Sequence, residues 1–499
     1  MNILFATSEM VPFTPPGETA ESISVLATEL ARLGHSVSVI LPGFAQAIAG
    51  GKLLEPTGVD LAITIGAKLV TGRVVKLAWQ PRPAGPTVTV YLVEQNDYYQ
   101  RPGLYQEGGA EYIDNCERFV FFSRAVLETT KQLNLCPDVI HAHDWTTGLL
   151  AAYLDVEYRH LPGFEKVVTL FTLHDLEHQG KFWHWDMLLT GLDWKYFNWR
   201  QMEFYGHLNL LKTGLVFADS INTLSPRYAQ EVQTSPLGGG MEGVLTSRRE
   251  VLTGVVEGID YEIWNPANDP YLAHHYDERS AFAGKAQAKA ALQTEVGLPA
   301  APTVPLVGLV GQLCDRRGID AVIEVMRGWL AERDVQWVVL GTGDAKCQDA
   351  LADLVKRQPR RLSFCMAQDE PLHHRLMAGV DMLLAPCRSE PCGKYQLQAL
   401  RYGAVPVVRN TGSLADTVVD VNDGTLAASA ATGFCFHDSG AMAVSEGLAR
   451  AVDMYTREKP QWSKVVSAGM KQDWSWTATA KKYLDLYATT ISRRKARAE

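Results

Sequence analysis

The stretch 389–403, SEPCGKYQLQALRYG, gathers an acid (Glu390), a turn (Pro391 and Gly393) and a cation (Lys394) where an apolar run ends and helix-compatible sequence begins. A carboxylate at a helix start is an ordinary electrostatic choice, because the free N–H groups there favour negative charge. Its company asks for more. Gly393 permits close backbone approach, Lys394 adds positive charge, and NTGSLADT at 410–417 supplies a second small-residue turn and helix start. An acid, a cation and two N–H-rich helix starts suit a sugar joined to a phosphate.

Such groups need a rigid frame, and the chain offers one. Short β-rich runs alternate with helical patterns in the first half: NILFAT (2–7), SVSVILP (36–42), TVTVYLV (87–93), DVIHAH (138–143), VVTLFTLH (167–174) and SINTLS (220–225). A second series follows position 258: VPLVGLVG (304–311), QWVVLGTG (336–343), LSFCMA (362–367), DMLLAPC (381–387) and VPVVRN (405–410). Near-continuous apolar strands separated by helices predict parallel βαβ units. The expected fold is α/β, with two facing doubly wound domains joined near TGVVEGID (253–260). In such sheets ligands settle beyond the carboxyl ends of the strands, so two facing domains would make a cleft. The expected domains are 1–255 and 256–475. WTATAKKYLDLYATTISRRKARAE (476–499) reads as one amphipathic helix returning to the first domain and ending in a basic, frayed tail.

Composition excludes several function classes. With 499 residues, 46% hydrophobic and 21% charged, the chain must divide into more than one core. A net charge of −9 gives no basic field for nucleic acid or an anionic membrane. Eight cysteines without a CxxC pair fit reduced core thiols rather than a disulfide framework or zinc knuckle. The opening MNILFATSEM has no basic leader region, and no apolar run reaches the ~18 residues of a membrane span. A cytoplasmic location is expected, and the oligomeric state is left open.

Other clusters have plain readings as well as chemical ones. His141 and His143 share one strand face with Asp144 adjacent, and His174 and His178 stand at helical spacing; either is a nominal metal pair. Neither has HExxH order, and no metal is expected. GTGDAK at 341–346 follows a strand but lacks the third glycine of a dinucleotide fingerprint. Residues 182–205 hold nine aromatics: Phe182, Trp183, Trp185, Trp194, Tyr196, Phe197, Trp199, Phe204 and Tyr205. Helical core is the leading expectation for them, and a partly exposed platform for glucose rings is the other.

Taken together, the ordered motifs resemble the bacterial glycogen synthase and plant starch synthase family along nearly the whole chain. The resemblance rests on Ser8–Pro12, IHAHDW (140–145), LHDLEHQG (173–180), EFYGHLNLLKTGL (203–215), SPRYAQEV (225–232), GGGMEGVL (238–245), GIDYEIWNP (258–266), SEPCGKYQL (389–397) and RNTGSLADTV (409–418). It implies a retaining glucosyltransferase of GT-B architecture, built from two Rossmann-like domains. Glucose would pass from a nucleotide diphosphate glucose, ADP-glucose favoured, to the non-reducing end of an α-1,4-glucan or malto-oligosaccharide. No cofactor is implied.

The same resemblance implies residue roles. Glu390, His174 and Asp144 would be catalytic. Gly17, Gln312, Arg317, Gly343, Gln368, Gly393, Lys394, Tyr395 and Gly412 would border the donor, and Glu9, Tyr99 and Asn209 the acceptor or sugar.

Departures from the family pattern collect on the donor side. Pro15 stands at the family's loop lysine, Glu18 at a glycine, Gln312 at a phosphate-binding arginine and Gln368 at a stacking tyrosine. Arg317 keeps a cation in place of a lysine. Lys394 and Tyr395 replace Leu-Thr, Ser413 a glycine and Glu257 an asparagine. Two lost contacts to a charged phosphate would cost about 3–6 kcal/mol, which Lys394 and Arg317 are expected to restore in part. Alternatives left open are a non-catalytic glucan-binding relative and an enzyme with another donor.

Overall fold

The computed structural model describes residues 1–49 and 53–498; Glu499, the last residue of the expected tail, lies outside them. The chain forms two compact units, one of residues 1–224, 229–255 and 479–499, the other of 225–228 and 256–478.

The first unit is built on a nine-stranded sheet. Its order is Leu252–Gly254, Ser220–Thr223, Val168–Leu173, Val139–His143, Asn2–Ala6, Ser36–Pro42, Val88–Glu94, Lys68–Trp79, Glu55–Ile65. All pairings are parallel as far as Val88–Glu94; the last two strands form an antiparallel hairpin. Val139–His143 and Val168–Leu173 are buried at every position, as parallel strands covered on both faces must be. The hairpin was not expected. Its first strand alternates, with Val59, Leu61, Ile63 and Ile65 buried and the residues between them exposed, the pattern of a sheet edge wetted on one side.

The second unit holds a six-stranded, wholly parallel sheet in the order Leu362–Cys365, Gln336–Leu340, Leu306–Val310, Met382–Ala385, Val405–Arg409, Phe434–Phe436. Under it Lys289 and Asp381 are both buried. The Lys289 ammonium donates to Asp381 at 2.6 Å, to the Val304 carbonyl at 2.6 Å and to the Tyr455 hydroxyl at 3.1 Å, while Asp381 also accepts from the Leu306 N–H at 2.8 Å. Breaking such a pair strands one charge out of water. Asp381→Ala is therefore expected to lower the stability of this unit by about 3–5 kcal/mol, read as a fall in the midpoint of urea unfolding.

The helix Trp476–Ala498 continues to the end of the described residues, so the frayed tail is not seen. From Thr479 onward it belongs to the first unit. Tyr487 meets His141 Nδ1 at 2.8 Å, Asn222 donates to the Tyr483 hydroxyl at 3.1 Å, and Thr490 meets Ser220 at 2.9 Å. All eight cysteines are free, and among the described residues no helix is long and apolar enough to cross a membrane.

Candidate functional site

In the second sheet, chain order reverses between Leu306–Val310 and Met382–Ala385. The loops leaving these neighbouring strands diverge and open a crevice, the favoured ligand position in a doubly wound sheet. Arg317 comes from the first loop and Glu390 from the second. The Arg317 guanidinium donates to the Glu390 carboxylate, which also accepts from the Cys387 thiol at 3.4 Å and the Gly393 N–H at 3.2 Å. Glu390 is only 4% exposed. A backbone tie holds the loops together, the Arg388 N–H donating to the Arg316 carbonyl at 2.9 Å, and the Arg409 guanidinium, from the next strand, donates to the Arg388 carbonyl at 2.5 Å.

Gly412 seats the loop of Glu390. Its φ is +47°, and a Cβ there would lie 2.0 Å from the Glu390 carbonyl oxygen, which accepts from the Ser413 N–H at 3.0 Å. At Gly393 a Cβ would meet the Ser413 hydroxyl at 2.3 Å. Glu257 accepts from the Cys392 thiol at 2.8 Å, two residues beyond Glu390. Two departures from the family pattern, Ser413 and Glu257, thus touch the loop of Glu390 itself.

Arg317, Glu390, Gln312, Cys387, Tyr395 and Gln396 line one cavity over an apolar floor that includes Leu309 and Leu384. Of the donor candidates in this unit, Gly393 and Gly412 shape the loop of Glu390 without lining the cavity, and Gly343, Gln368 and Lys394 also stand outside the lining. Gly343 pairs with Leu313 and backs the loop that carries Arg317. Gln368 is exposed between Leu362–Cys365 and the helix Glu370–Gly379. Lys394 is the residue before the helix Tyr395–Tyr402, and its charge adds to burial and to His374 in holding His373 down to a pKa of about 3. Among the described lining residues the cation is Arg317, and Lys394 stands next to the lining residue Tyr395 without lining the cavity itself.

The first sheet repeats the design. Its order reverses between Asn2–Ala6 and Val139–His143, and the loops leaving those strands carry Glu9 and Asp144. Asp144 holds His174 twice: one carboxylate oxygen accepts from the His174 N–H at 2.9 Å, the other lies 2.7 Å from Nδ1. The Asp144 backbone has φ +56° and ψ −174°, a region almost confined to glycine. Holding a non-glycine residue there costs about 1–3 kcal/mol, which the surrounding structure must offset. Beneath His174 lies His143, with ring centroids 5.4 Å apart, and beneath that His141 at 4.1 Å. His141 spends both nitrogens on Tyr487 and Thr172, whereas neither nitrogen of the buried His143 has a hydrogen-bond partner. Burial pushes the pKa of both well below the usual histidine range. They are uncharged core rings.

Glu9 accepts from the Tyr105 hydroxyl at 2.6 Å, which also meets Ser8 at 2.6 Å; Ser8 in turn meets Thr146 at 3.0 Å. Burial raises the Glu9 pKa against the opposing pull of the Tyr105 bond, with Asp144 adding repulsion and His174 attraction. Glu9, Asp144 and His174 thus form one electrostatic cluster.

Two acceptor candidates are corrected. Tyr99 is wholly buried, its hydroxyl donating to the Arg118 carbonyl at 3.1 Å; Tyr105, six residues on, is the tyrosine that reaches Glu9. Asn209 is buried as the N-cap of Leu210–Phe217, accepting from the Lys212 N–H at 2.8 Å and donating to Gln179 at 3.1 Å. In this structure both are held by the unit's own groups. Gly17 precedes the helix Glu18–Arg32 in extended backbone, with open space around it and Pro15 and Glu18 exposed nearby. Among the described residues no group of three or more His, Cys, Asp or Glu is placed to hold a metal ion.

The aromatic stretch is not helical core. Lys181–Trp183, Glu203–Phe204 and His207–Asn209 form a small antiparallel sheet, and residues 184–202 between its first two strands run through the short helical turns His184–Asp186, Met187–Thr190 and Trp194–Tyr196. Trp183, Trp185, Trp194, Trp199 and Tyr205 are exposed. Asp186 and Asp193 stand at the starts of the short turns Met187–Thr190 and Trp194–Tyr196, and Gly191 ends the first in left-handed backbone, so no long helix forms.

Comparison with known proteins gives consistent findings. Residues 2–247 match the family model described as starch synthase catalytic domain, and 304–437 that of glycosyl transferases group 1. Glycogen synthase of Rhodopirellula baltica is 38% identical, over 100% of this chain and 99% of its own. Glycogen synthase 2 of Geobacter sulfurreducens is 41% identical, over 99% of this chain and 100% of its own. Among solved structures, the catalytic domain of starch synthase IV from Arabidopsis thaliana, bound to ADP and acarbose, superposes with a TM-score of 0.84 at 28% identity, covering 98% of this chain and 99% of that one.

Proposed function

The chain belongs to the glycogen and starch synthase family of GT-B glycosyltransferases, and from that premise we propose that it moves glucose from a nucleotide diphosphate glucose, ADP-glucose in preference, to the non-reducing end of an α-1,4-glucan with retention of configuration. The observation that carries this reading is the pairing of Glu390 with Arg317 in the crevice where the second sheet reverses its order.

Glycosyl transfer of this kind passes through a cationic sugar carbon as a diphosphate departs. The protein must therefore offer positive charge to the phosphates and negative charge to the sugar. Arg317 supplies the first, in a fork that matches phosphate oxygens. Glu390 supplies the second by accepting from sugar hydroxyls. In the free protein each satisfies the other, so the diphosphate takes over a guanidinium already in place and releases the carboxylate to the sugar. Preorganisation of this kind avoids reorienting dipoles during the reaction.

In the first unit, Glu9 with Tyr105, and His174 held by Asp144, are the groups for an acceptor hydroxyl and the sugar it attacks. The likeness to a starch synthase bound to ADP and acarbose supports a nucleotide donor and a glucan acceptor.

The test is incubation with glycogen and glucose-labelled ADP-glucose or UDP-glucose. Label is expected in the polymer, faster from ADP-glucose, and released by an α-1,4-specific exo-hydrolase. No incorporation from either donor, with calorimetric binding of maltohexaose but not of ADP, would make the chain a glucan-binding relative without activity.

A further inference from the structure

We infer that Trp183, Trp185 and Trp194 form a docking strip for the outer chains of the glucan polymer, apart from the residues proposed to carry out transfer. The inference rests on the glucan-acceptor reading above and extends it to a surface of the first unit.

The three indoles are 61%, 48% and 39% exposed and continuous: Trp183 and Trp185 have centroids 6.3 Å apart, Trp185 and Trp194 5.5 Å. His184 packs against both of the first two, and Phe197 extends the row 5.4 Å beyond Trp194. Large exposed aromatics cost hydration free energy, and a contiguous set marks a surface built to be covered. Neighbouring rings meet edge to face, at 64° and 77°, so successive ring faces turn in different directions, as contact with a curving chain of rings requires.

The platform is rigid. The buried Lys212 ammonium donates to the carbonyls of Trp199 and Glu203, both at 2.5 Å, fixing the loop between the small strands. Asp193 caps the turn that opens with Trp194, accepting from the Lys195 N–H at 2.8 Å, and Asn198 ties Lys195 to Gln201. Little side-chain or loop ordering is left to oppose binding.

Continuity names the occupant. Trp183 shares a strand with Phe182, whose ring is 5.9 Å from Trp145; Trp145 is 5.8 Å from Tyr105, and Tyr105 holds Glu9. One face of this short strand therefore adjoins the acceptor-side cluster, and the other presents the strip. The pyranose rings of an α-glucan have flat C–H faces that pack on indole, with hydroxyls left at the rim for Asp193 and Lys195. A polymer engaged at both places gains avidity that a short acceptor lacks.

The experiment compares the wild type with Trp183→Ala/Trp185→Ala and Trp183→Phe/Trp185→Phe, using native gels cast with glycogen and initial rates on glycogen and on maltotriose. The alanine pair is expected to weaken glycogen retardation and raise the KM for glycogen about tenfold, leaving kcat and the KM values for maltotriose and donor unchanged. The phenylalanine pair keeps ring faces and is expected to remain near wild type. Unchanged retardation in the alanine pair overturns the inference, as does an equal loss on maltotriose. A wild-type dimer that the alanine pair dissociates, with glycogen retention intact, assigns the strip to a second copy instead. Glycogen retardation of a wild type that transfers no glucose leaves the strip standing while the transfer reading fails.

Discussion

Glu390→Ala is expected to lower kcat for glucosyl transfer by about 10²–10³-fold while leaving the donor KM unchanged or lower. Two consequences of one contact separate here. The carboxylate acts on a sugar carbon that becomes cationic only as the diphosphate leaves, so its loss falls on the transition state rather than on donor binding. Its partner Arg317 loses the carboxylate by the same change, and a guanidinium no longer shared with that carboxylate is a better phosphate ligand. A residue that merely held the loop would behave differently, because its loss would spoil donor binding and kcat together.

Glu390→Gln sharpens the comparison. The amide keeps the size and one acceptor, so the bond from the Gly393 N–H survives, but it brings no negative charge. If charge is what matters, the glutamine variant falls nearly as far as alanine; a drop below tenfold in either variant ends the assignment. Thermal unfolding of both variants checks the loop, whose carbonyl bond to Ser413 depends on no side chain at 390.

Where strands and loops would fall was readable because buried parallel strands announce themselves as short apolar runs, and eleven such runs coincide with strands of the two sheets. Their spatial order was not readable. Nothing local in VPLVGLVG or DMLLAPC says that these two lie side by side, yet that adjacency brings Arg317 to Glu390. The motif around 390 showed which residues have the chemistry, and tertiary pairing decided which of them meet.

The misplacements follow the same logic. In NDYYQRPGLY the tyrosines are chemically alike, and the path of the loop sends Tyr99 into the core and Tyr105 to Glu9. Asn209 carried a signal that could have been used: an asparagine directly before LLKTGLVF is a helix N-cap pattern. The edge hairpin was legible in principle from the alternation in VDLAITI, but a search for continuous apolar runs passes over alternation. Lys394 was expected at the phosphates from its place at a helix start, and one residue of helical phase puts Tyr395 rather than Lys394 in the cavity wall.

Asp144→Asn tests the other unit through a proton. The carboxylate now accepts from the His174 N–H with one oxygen and faces Nδ1 with the other; since it can only accept, Nδ1 carries a proton, and in the neutral imidazole the acceptor position is then Nε2. An asparagine can keep the first bond with its carbonyl, but must then turn its NH₂ toward Nδ1. That group donates and cannot accept, so the imidazole proton moves to Nε2 and His174 presents a donor where it presented an acceptor. Side-chain volume barely changes, and the strained φ of +56° is retained, so packing is a constant across the pair. Activity is expected to fall about 10²-fold or more, with the melting midpoint nearly unchanged and the ¹⁵N shifts of labelled His174 exchanging the pattern of one neutral tautomer for the other. A tautomer change with full activity would remove His174 from the chemistry. Lost activity with no tautomer change would move the effect to Asp144 itself, whose charge bears on Glu9; Glu9→Gln with Asp144 intact then separates the two, since it abolishes that repulsion and leaves the imidazole and its carboxylate as they are.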